Sequence, residues 1–260
     1  MADLEYNVED GVGTILLNRP HVKNAFTFDM ISDWAAALRS ARVDSAVRVV
    51  VVTGAGNAFC SGVDMSVLEQ VGDEPLALKS MLTERVHDVA RAVDELSKPI
   101  IAAVNGVAVG AGMDMALMCD LRILARSARM SEGYIKVGLV PGDGGCYYLP
   151  RLVGMPKALE LLWTGDFVDA DEALRIGLAS QVHDDEEFAT AWRAFAMRLA
   201  EQPPVNVAMI KRAALQSAQI DLRTSLDLIS SHFAVVHGTR DSREARSAGI
   251  ERRVPSFEGR

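Results

Sequence analysis

The stretch that decides the fold is Ile100–Asp114, which reads IIAAVNGVAVGAGMD. Residues typical of a buried strand give way to small residues and glycines, and the apolar pattern Met115–Cys119 follows. This order predicts a strand, a tight turn and the N-terminus of a helix. The first turn of a helix presents backbone N–H groups that have no acceptor within the helix. Because small residues let a ligand oxygen approach closely, we expect this turn to stabilise an oxyanion.

A second turn of the same kind lies upstream. The valine run of Val47–Thr53 predicts a parallel strand that is covered on both faces. It is followed by Asn57–Met65, a segment that is again rich in small residues and contains glycine. Two separate loops that each offer a backbone N–H suit a thioester carbonyl whose charge develops into an enolate.

Composition narrows the class of protein. A chain of 260 residues can bury one large domain, or one domain with a helical appendage. The net charge of -8 argues against nucleic acid and anionic membranes as partners. Three cysteines predict a reducing compartment without disulfides, and no Cys/His spacing indicates a metal site. The acidic start Met1–Glu5 is unlike a targeting peptide, so we expect a cytoplasmic protein.

The pattern along the chain changes near residue 185. Strands and helices alternate before this point, including one amphipathic helix predicted over Leu78–Leu96. Only helical patterns follow it: Phe188–Ala200, Val205–Ile220, Leu222–His237 and Arg240–Glu251. The sequence therefore predicts an α/β core over residues 1–184 and a helical region over residues 185–260.

Several segments, in this order, resemble the crotonase superfamily, the enoyl-CoA hydratase/isomerase group. They are Leu17–Pro20 with Asn24 and Ala25, Phe59–Asp64, Lys98–Asp120, Val137–Gly142 and Glu251–Arg253. The resemblance implies a ββα spiral core and a helical C-terminal region that forms trimers, commonly paired into hexamers, and covers the active site. It also implies an acyl-CoA thioester substrate, with coenzyme A entering as part of that substrate and no separate cofactor.

The resemblance assigns the oxyanion-binding N–H groups to Ser61 and Ala111. Alanine replaces a usual glycine at 111, which is tolerable if its φ is negative. Asp114 occupies the position of the family's first catalytic glutamate, and the alternative is an acidic residue that is simply favoured near a helix N-terminus. Tyr134 stands where simple hydratases have their second glutamate. A phenol is a poor base at neutral pH but can donate a proton or a hydrogen bond, or it can simply line the acyl pocket.

Three further residues are candidates for acid–base chemistry. Asp143 is either a turn residue or a catalytic aspartate, since some relatives have one at the preceding position, opposite Gly142. Glu132 is either structural or a replacement carboxylate, and it would share a face with Tyr134 if this piece is extended. His87 is either an ordinary helical residue or a pocket histidine.

The resemblance also implies a set of coenzyme A contacts, with Arg252 reaching a phosphate of the nucleotide part. The remaining contacts are Arg19, Lys23, Ala25, Cys60, Val63, Asp64 and Met65. For Arg19 and Lys23 the alternative is an ordinary surface charge.

Hydration of a 2-enoyl-CoA is the leading interpretation, with double-bond isomerisation as its nearest neighbour. Hydrolysis, decarboxylation or dehalogenation of a CoA thioester on the same oxyanion site is a further reading. A non-catalytic acyl-CoA-binding protein is the alternative from another class. The many apolar residues of Val205–Glu251 predict either an oligomer or helices folded back on the α/β core.

Overall fold

The computed structural model of the chain describes residues 2–260. Strands from all of the first two thirds of the chain build two sheets. The strands are β1 (Leu4–Glu9), β2 (Val12–Leu17), β3 (Val49–Gly54), β4 (Ala58–Cys60), β5 (Ile100–Val104), β6 (Val107–Val109), β7 (Leu121–Ala125), β8 (Arg129–Ser131), β9 (Val168–Asp169) and β10 (Gln181–His183).

The helices separate these strands and then follow them. They are α1 (Phe28–Val43), α2 (Met65–Val71), α3 (Pro75–Met81), α4 (His87–Asp94), α5 (Ala111–Leu117), α6 (Gly145–Val153), α7 (Met155–Thr164), α8 (Ala170–Arg175), α9 (Asp185–Ala200), α10 (Pro204–Ser217), α11 (Leu222–His237) and α12 (Arg240–Glu251). Short 3-10 turns lie at Pro20–Val22 and Tyr134–Val137, and a π-type turn lies at Leu82–Val86.

The sheets form a spiral. The larger sheet has the order β1-β2-β3-β5-β7-β10, and the smaller has the order β4-β6-β8-β9. The neighbours β3, β5 and β7 run parallel, and so do β4, β6 and β8. The successive pairs β3/β4, β5/β6 and β7/β8 therefore each place one strand in the larger sheet and one in the smaller sheet. This arrangement confirms the predicted α/β core of ββα turns.

The core lies on both faces of the larger sheet. Residues 49–52 of β3 are fully buried, as the valine run predicts. Helix α9 packs Phe188, Trp192 and Ala196 into the core, and α1 contributes Trp34 and Leu38. The first helix after the last strand is therefore part of the core. In the part of the chain that the structure describes, every element after His183 is a helix, and none is long and apolar enough to cross a membrane.

The helix predicted over Leu78–Leu96 is present but irregular. The helical run from Pro75 to Asp94 contains a π-type turn over Leu82–Val86 between α3 and α4. Such a turn inserts an extra residue into the helical register, which periodicity alone does not reveal. As a result α4 begins at His87, whose ring reaches the Gly142 carbonyl.

Candidate active site

The two loops assigned to oxyanion binding are in direct contact. The ideal Cβ position at Gly62 lies 3.5 Å from the Ala111 nitrogen, and that at Gly112 lies 2.1 Å from the Cys60 carbonyl oxygen. Any side chain at 112 would overlap this carbonyl, so the approach requires glycine. Ala111 is the first residue of α5 and has no positive φ, so alanine is tolerated there. As the first helical residue, its N–H has no acceptor within the helix.

The Ser61 N–H is less available. It donates to the Lys23 carbonyl at 3.0 Å, and the Ser61 hydroxyl donates to the Val22 carbonyl at 3.2 Å. A thioester oxygen would have to share or displace the Lys23 contact. Of the two N–H groups that the sequence indicates, Ala111 is therefore the more accessible donor.

Asp114, Tyr134 and Asp143 form one hydrogen-bonded cluster beside these loops. The Tyr134 hydroxyl lies 2.7 Å from Asp114 Oδ2 and 3.2 Å from Asp143 Oδ2. The Asp143 backbone N–H also donates to Asp114 Oδ2, at 3.2 Å. The ideal Cβ position at Gly110 lies 3.7 Å from the Tyr134 ring. The phenol therefore joins both carboxyl groups next to the residue that precedes Ala111.

Burial favours the protonated forms of the three side chains in this cluster. Burial, followed by the charge of Asp143, raises the pKa of Asp114 to about 7, although the Tyr134 hydrogen bond acts against this rise. Burial also raises the pKa of Asp143, with His87 opposing it. The pKa of the Tyr134 phenol is raised by burial and by Asp114, so the phenol stays protonated. A phenol has one proton to donate, so its contact with the second carboxyl needs a protonated carboxyl as donor.

Glu132 does not share a strand face with Tyr134, and that expectation is wrong. Strand β8 ends at Ser131, Gly133 has a φ of 24°, and Tyr134 begins a 3-10 turn. Glu132 instead reaches Asp114 from another direction. The ideal Cβ position at Gly145 lies 2.5 Å from Asp114 Oδ1 and 2.6 Å from Glu132 Oε1. Glycine at 145 leaves the space in which these side chains meet, a feature that sequence reasoning missed although the Gly144-Gly145 pair was visible.

His87 approaches the cluster from α4. Its Nε2 lies 2.7 Å from the Gly142 carbonyl oxygen and 4.0 Å from Asp143 Oδ1. A carbonyl only accepts hydrogen bonds, so Nε2 must carry the hydrogen in this contact. His87 therefore holds the loop that carries Asp143.

The residues assigned to coenzyme A differ in whether contacts within the protein already engage their side chains. The Arg19 guanidinium donates to the Ala25 carbonyl at 2.6 Å and to Asp64 at 2.9 Å, so the protein already occupies it. Asp64 in turn caps α2 through Ser66. Lys23 is exposed, and among the described residues its ammonium group forms no hydrogen bond or ion pair.

The other assigned positions lie at the edge of this region. The Cys60 side chain is buried, which raises the pKa of its thiol to about 12, so only its backbone could meet a ligand. Val63 pairs with Phe26 in an isolated bridge, and Met65 is exposed. Arg252 is exposed at the end of α12, and within residues 2–260 its guanidinium has no hydrogen bond or ion pair.

Comparisons with known proteins agree on one family. A family model for enoyl-CoA hydratase/isomerase matches residues 7–260. A 1,2-epoxyphenylacetyl-CoA isomerase of Escherichia coli is 37% identical over 98% of this chain and 97% of the relative. A probable enoyl-CoA hydratase of Rhodobacter capsulatus is 36% identical over 99% of this chain and 98% of the relative.

Solved structures give the same result for the fold. An enoyl-CoA hydratase of Bacillus anthracis superposes with a TM-score of 0.94 at 30% identity, covering 100% of both chains. A putative enoyl-CoA hydratase/isomerase of Mycobacterium abscessus also has a TM-score of 0.94, at 32% identity, covering 99% of this chain and 100% of that one. These matches confirm the crotonase-like fold, and the chain belongs to the enoyl-CoA hydratase/isomerase family.

Proposed function

We propose that the chain hydrates a 2-enoyl-CoA thioester. The observation that carries this proposal is the contact of one phenol, Tyr134, with both Asp114 and Asp143, beside the Ala111 N–H. Water addition needs a base that takes a proton from water and an acid that gives one to carbon. Two carboxyl groups joined by a proton-carrying phenol can fill both roles, although the family's second glutamate is replaced.

The proposed hydration conserves protons and electrons through three successive steps. Ionised Asp114 accepts a proton from water while the water oxygen bonds to Cβ, and the double-bond electrons move onto the thioester oxygen. The N–H groups of Ala111 and Ser61 stabilise this enolate. Asp143 then gives a proton to Cα, and the thioester carbonyl re-forms. The Tyr134 hydroxyl finally accepts the proton from Asp114 and donates its own to Asp143, which restores the starting state.

Coenzyme A would bind as part of the substrate, with no separate cofactor. Lys23 is exposed, and its backbone carbonyl accepts the Ser61 N–H, so its position beside the Ser61 loop supports an electrostatic contact with a phosphate. Arg252 is the second candidate. The three cysteines, which are all free, support a reducing compartment and hence a cytoplasmic location.

Double-bond isomerisation is the second candidate function. Its support is the replacement of a second glutamate by Tyr134, because isomerisation needs a proton shuttle between carbons but no activated water. The relative named as an isomerase is similar over nearly its whole length.

Ultraviolet absorbance separates these activities, because only a 2-enoyl thioester is conjugated. Loss of absorbance with crotonyl-CoA, without release of free thiol, supports hydration. A gain of absorbance with a 3-enoyl-CoA, and no loss with crotonyl-CoA, would replace hydration by isomerisation. Release of thiol would indicate hydrolysis, and tight binding without turnover of any substrate would indicate a non-catalytic protein.

We also propose that the chain forms a homotrimer, alone or paired into a hexamer. Helices α10 and α11 expose Ile210, Leu222 and Phe233, which are each about 70% accessible to solvent. A groove of about 520 Å³ lies between these helices and α12, and its lining combines apolar residues such as Met209 and Ile229 with polar ones such as His232. An apolar surface of this kind on a single chain is typical of an interface.

Light scattering at micromolar concentration tests the assembly. We expect a mass of three or six chains for the wild type and a smaller mass for Phe233→Glu. Val43→Glu is the matched control, since Val43 is equally exposed but lies at the end of α1. A wild-type mass of one chain would refute the proposal, and the helices would then only cover their own core.

A further inference from the structure

Glu132 is a buried carboxyl group without a donor to bind. Its side chain is 2% exposed, and within residues 2–260 neither carboxyl oxygen has a hydrogen-bond donor. An ionised carboxylate in such a place is costly unless it is paired. The nearest charged groups are Asp114 and Asp143, which repel a negative charge. Burial and the repulsion by these charges therefore favour the protonated, neutral form of Glu132.

Asp114 has one carboxyl oxygen that is free to accept a hydrogen bond from a protonated Glu132. Its Oδ2 accepts hydrogen bonds from Tyr134 and from the Asp143 backbone. Its Oδ1 is buried and, in the described chain, has no donor. The Oδ1 atom and both oxygens of Glu132 surround the same point beside Gly145, at 2.5 to 2.7 Å from the ideal Cβ position there. One proton on Glu132 would therefore satisfy both residues.

We propose that Glu132 is a positioning residue that keeps its proton at neutral pH and donates it to Asp114 Oδ1. The hydrogen bond orients the Asp114 carboxyl group and stabilises its ionised form, which the proposed hydration requires. The two residues lie at different oxygens of Asp114, with Tyr134 at Oδ2 and Glu132 next to Oδ1. Glu132 therefore acts through Asp114 and not on the substrate.

The surrounding titratable groups agree with this assignment. Burial first, and then the charges of Asp114 and Asp143, raise the pKa of Glu132 to about 9. Glu132, if it acts as the donor, also lowers the pKa of Asp114. Tyr134 faces the pair from the 3-10 turn, and the Cys146 thiol faces it from α6. Within residues 2–260, no cation pairs with Glu132 that would favour its ionised form.

Two substitutions test the hydrogen bond. Glu132→Gln has nearly the same shape and retains an N–H donor, so kcat should stay within about threefold and the acidic limb of the kcat/KM profile should not move. Glu132→Leu removes the donor, so kcat should fall about tenfold or more and the acidic limb should move up by about one pH unit. If Glu132 were instead ionised, both substitutions would remove a negative charge, and the acidic limb would move down. That result for Glu132→Gln would overturn the proposal.

Infrared spectroscopy tests the protonation state without any substrate. The difference spectrum of wild type minus Glu132→Gln at neutral pH should contain a protonated carboxylic acid band that shifts in heavy water. Absence of that band overturns the proposal even if Glu132→Leu does not fold. Because the kinetic test rests on the proposed hydration, failure to turn over enoyl-CoA would reject that function, while the infrared result would still decide the state of Glu132.

Discussion

Replacing Asp114 with asparagine should make the protein more stable and less active. Asp114 is completely buried in the first turn of α5, so its ionised form carries a large desolvation cost. Asparagine has the same size, and its carbonyl oxygen can accept the same hydrogen bonds from Tyr134 and the Asp143 backbone. Its amide N–H₂ would point toward the Glu132 carboxyl group. The substitution thus removes a costly charge without creating a cavity.

The size of the effect follows from proton affinity. Asp114 has a pKa of about 7, compared with an ordinary value of 3.8. At about 1.4 kcal/mol for each pKa unit, this difference corresponds to about 4 kcal/mol as an upper limit. The folded chain binds the proton more tightly than the unfolded chain. Proton binding to Asp114 therefore stabilises the folded chain fully below about pH 4, and this stabilisation is lost as the pH rises through about 7.

Chemical unfolding at two pH values measures this contribution. Since Glu132 and Asp143 adjust to the lost charge, we expect Asp114→Asn to gain about 1 to 4 kcal/mol over wild type at about pH 8, and much less at about pH 4. Asp33→Asn is the matched control, because Asp33 is an exposed helical aspartate. All proteins should be compared at one concentration, since an oligomer's unfolding depends on it.

The same variant should lose kcat by about 100-fold or more, because it lacks the proposed base. A gain in stability together with a loss of activity is the expected signature of a strained functional charge. Two results would refute the reasoning. One is an asparagine variant that is less stable than wild type at alkaline pH. The other is a stability difference that does not change between the two pH values.

Three further predictions concern the same cluster. Tyr134→Phe should lower kcat by about 10- to 100-fold with little change in KM, and a silent variant in steady-state kinetics would remove the phenol from the mechanism. Gly145→Ala should abolish most activity, because its Cβ would meet Asp114 Oδ1 at 2.5 Å. Gly249→Ala is its control, since nothing lies within 4 Å of that position, and equal activity of the two variants would contradict the steric argument. Finally, kcat/KM should fall as the pH drops below about 7, where Asp114 takes up its proton, and a profile that is flat from pH 5 to 8 would exclude this base.

Periodicity predicted the long elements well and the short ones poorly. The limits of α11 and α12 are those that the apolar pattern indicates, because several helical turns repeat one signal. Strand β1 was missed although its buried and exposed residues largely alternate, and β4 was missed because three residues carry no measurable period. The π-type turn before α4 was missed for a different reason, since it depends on packing and not on composition.

The resemblance to the family assigned candidate residues one by one but did not predict how they interact. It placed Tyr134 at the site of a lost glutamate and left Asp143 and Glu132 as independent alternatives. The structure shows instead that all three surround Asp114, and that Gly145 makes room for the approach of Glu132.

The carboxyl groups of Asp114, Glu132 and Asp143 share one buried cluster and cannot all be ionised. The protonation state of the site is therefore described by how many protons the three groups hold together. That number depends on which oxygen faces which donor, and a sequence does not contain this information. Asp114 is the member whose Oδ2 accepts two hydrogen bonds, whereas, within residues 2–260, neither the Glu132 oxygens nor Asp143 Oδ1 has a hydrogen-bond partner. The negative charge is therefore best placed on Asp114, and the protons belong on its neighbours. Asp114 is therefore better suited than its two neighbours to act as a base at neutral pH, and a loss of activity confined to Asp143→Asn would reverse that order.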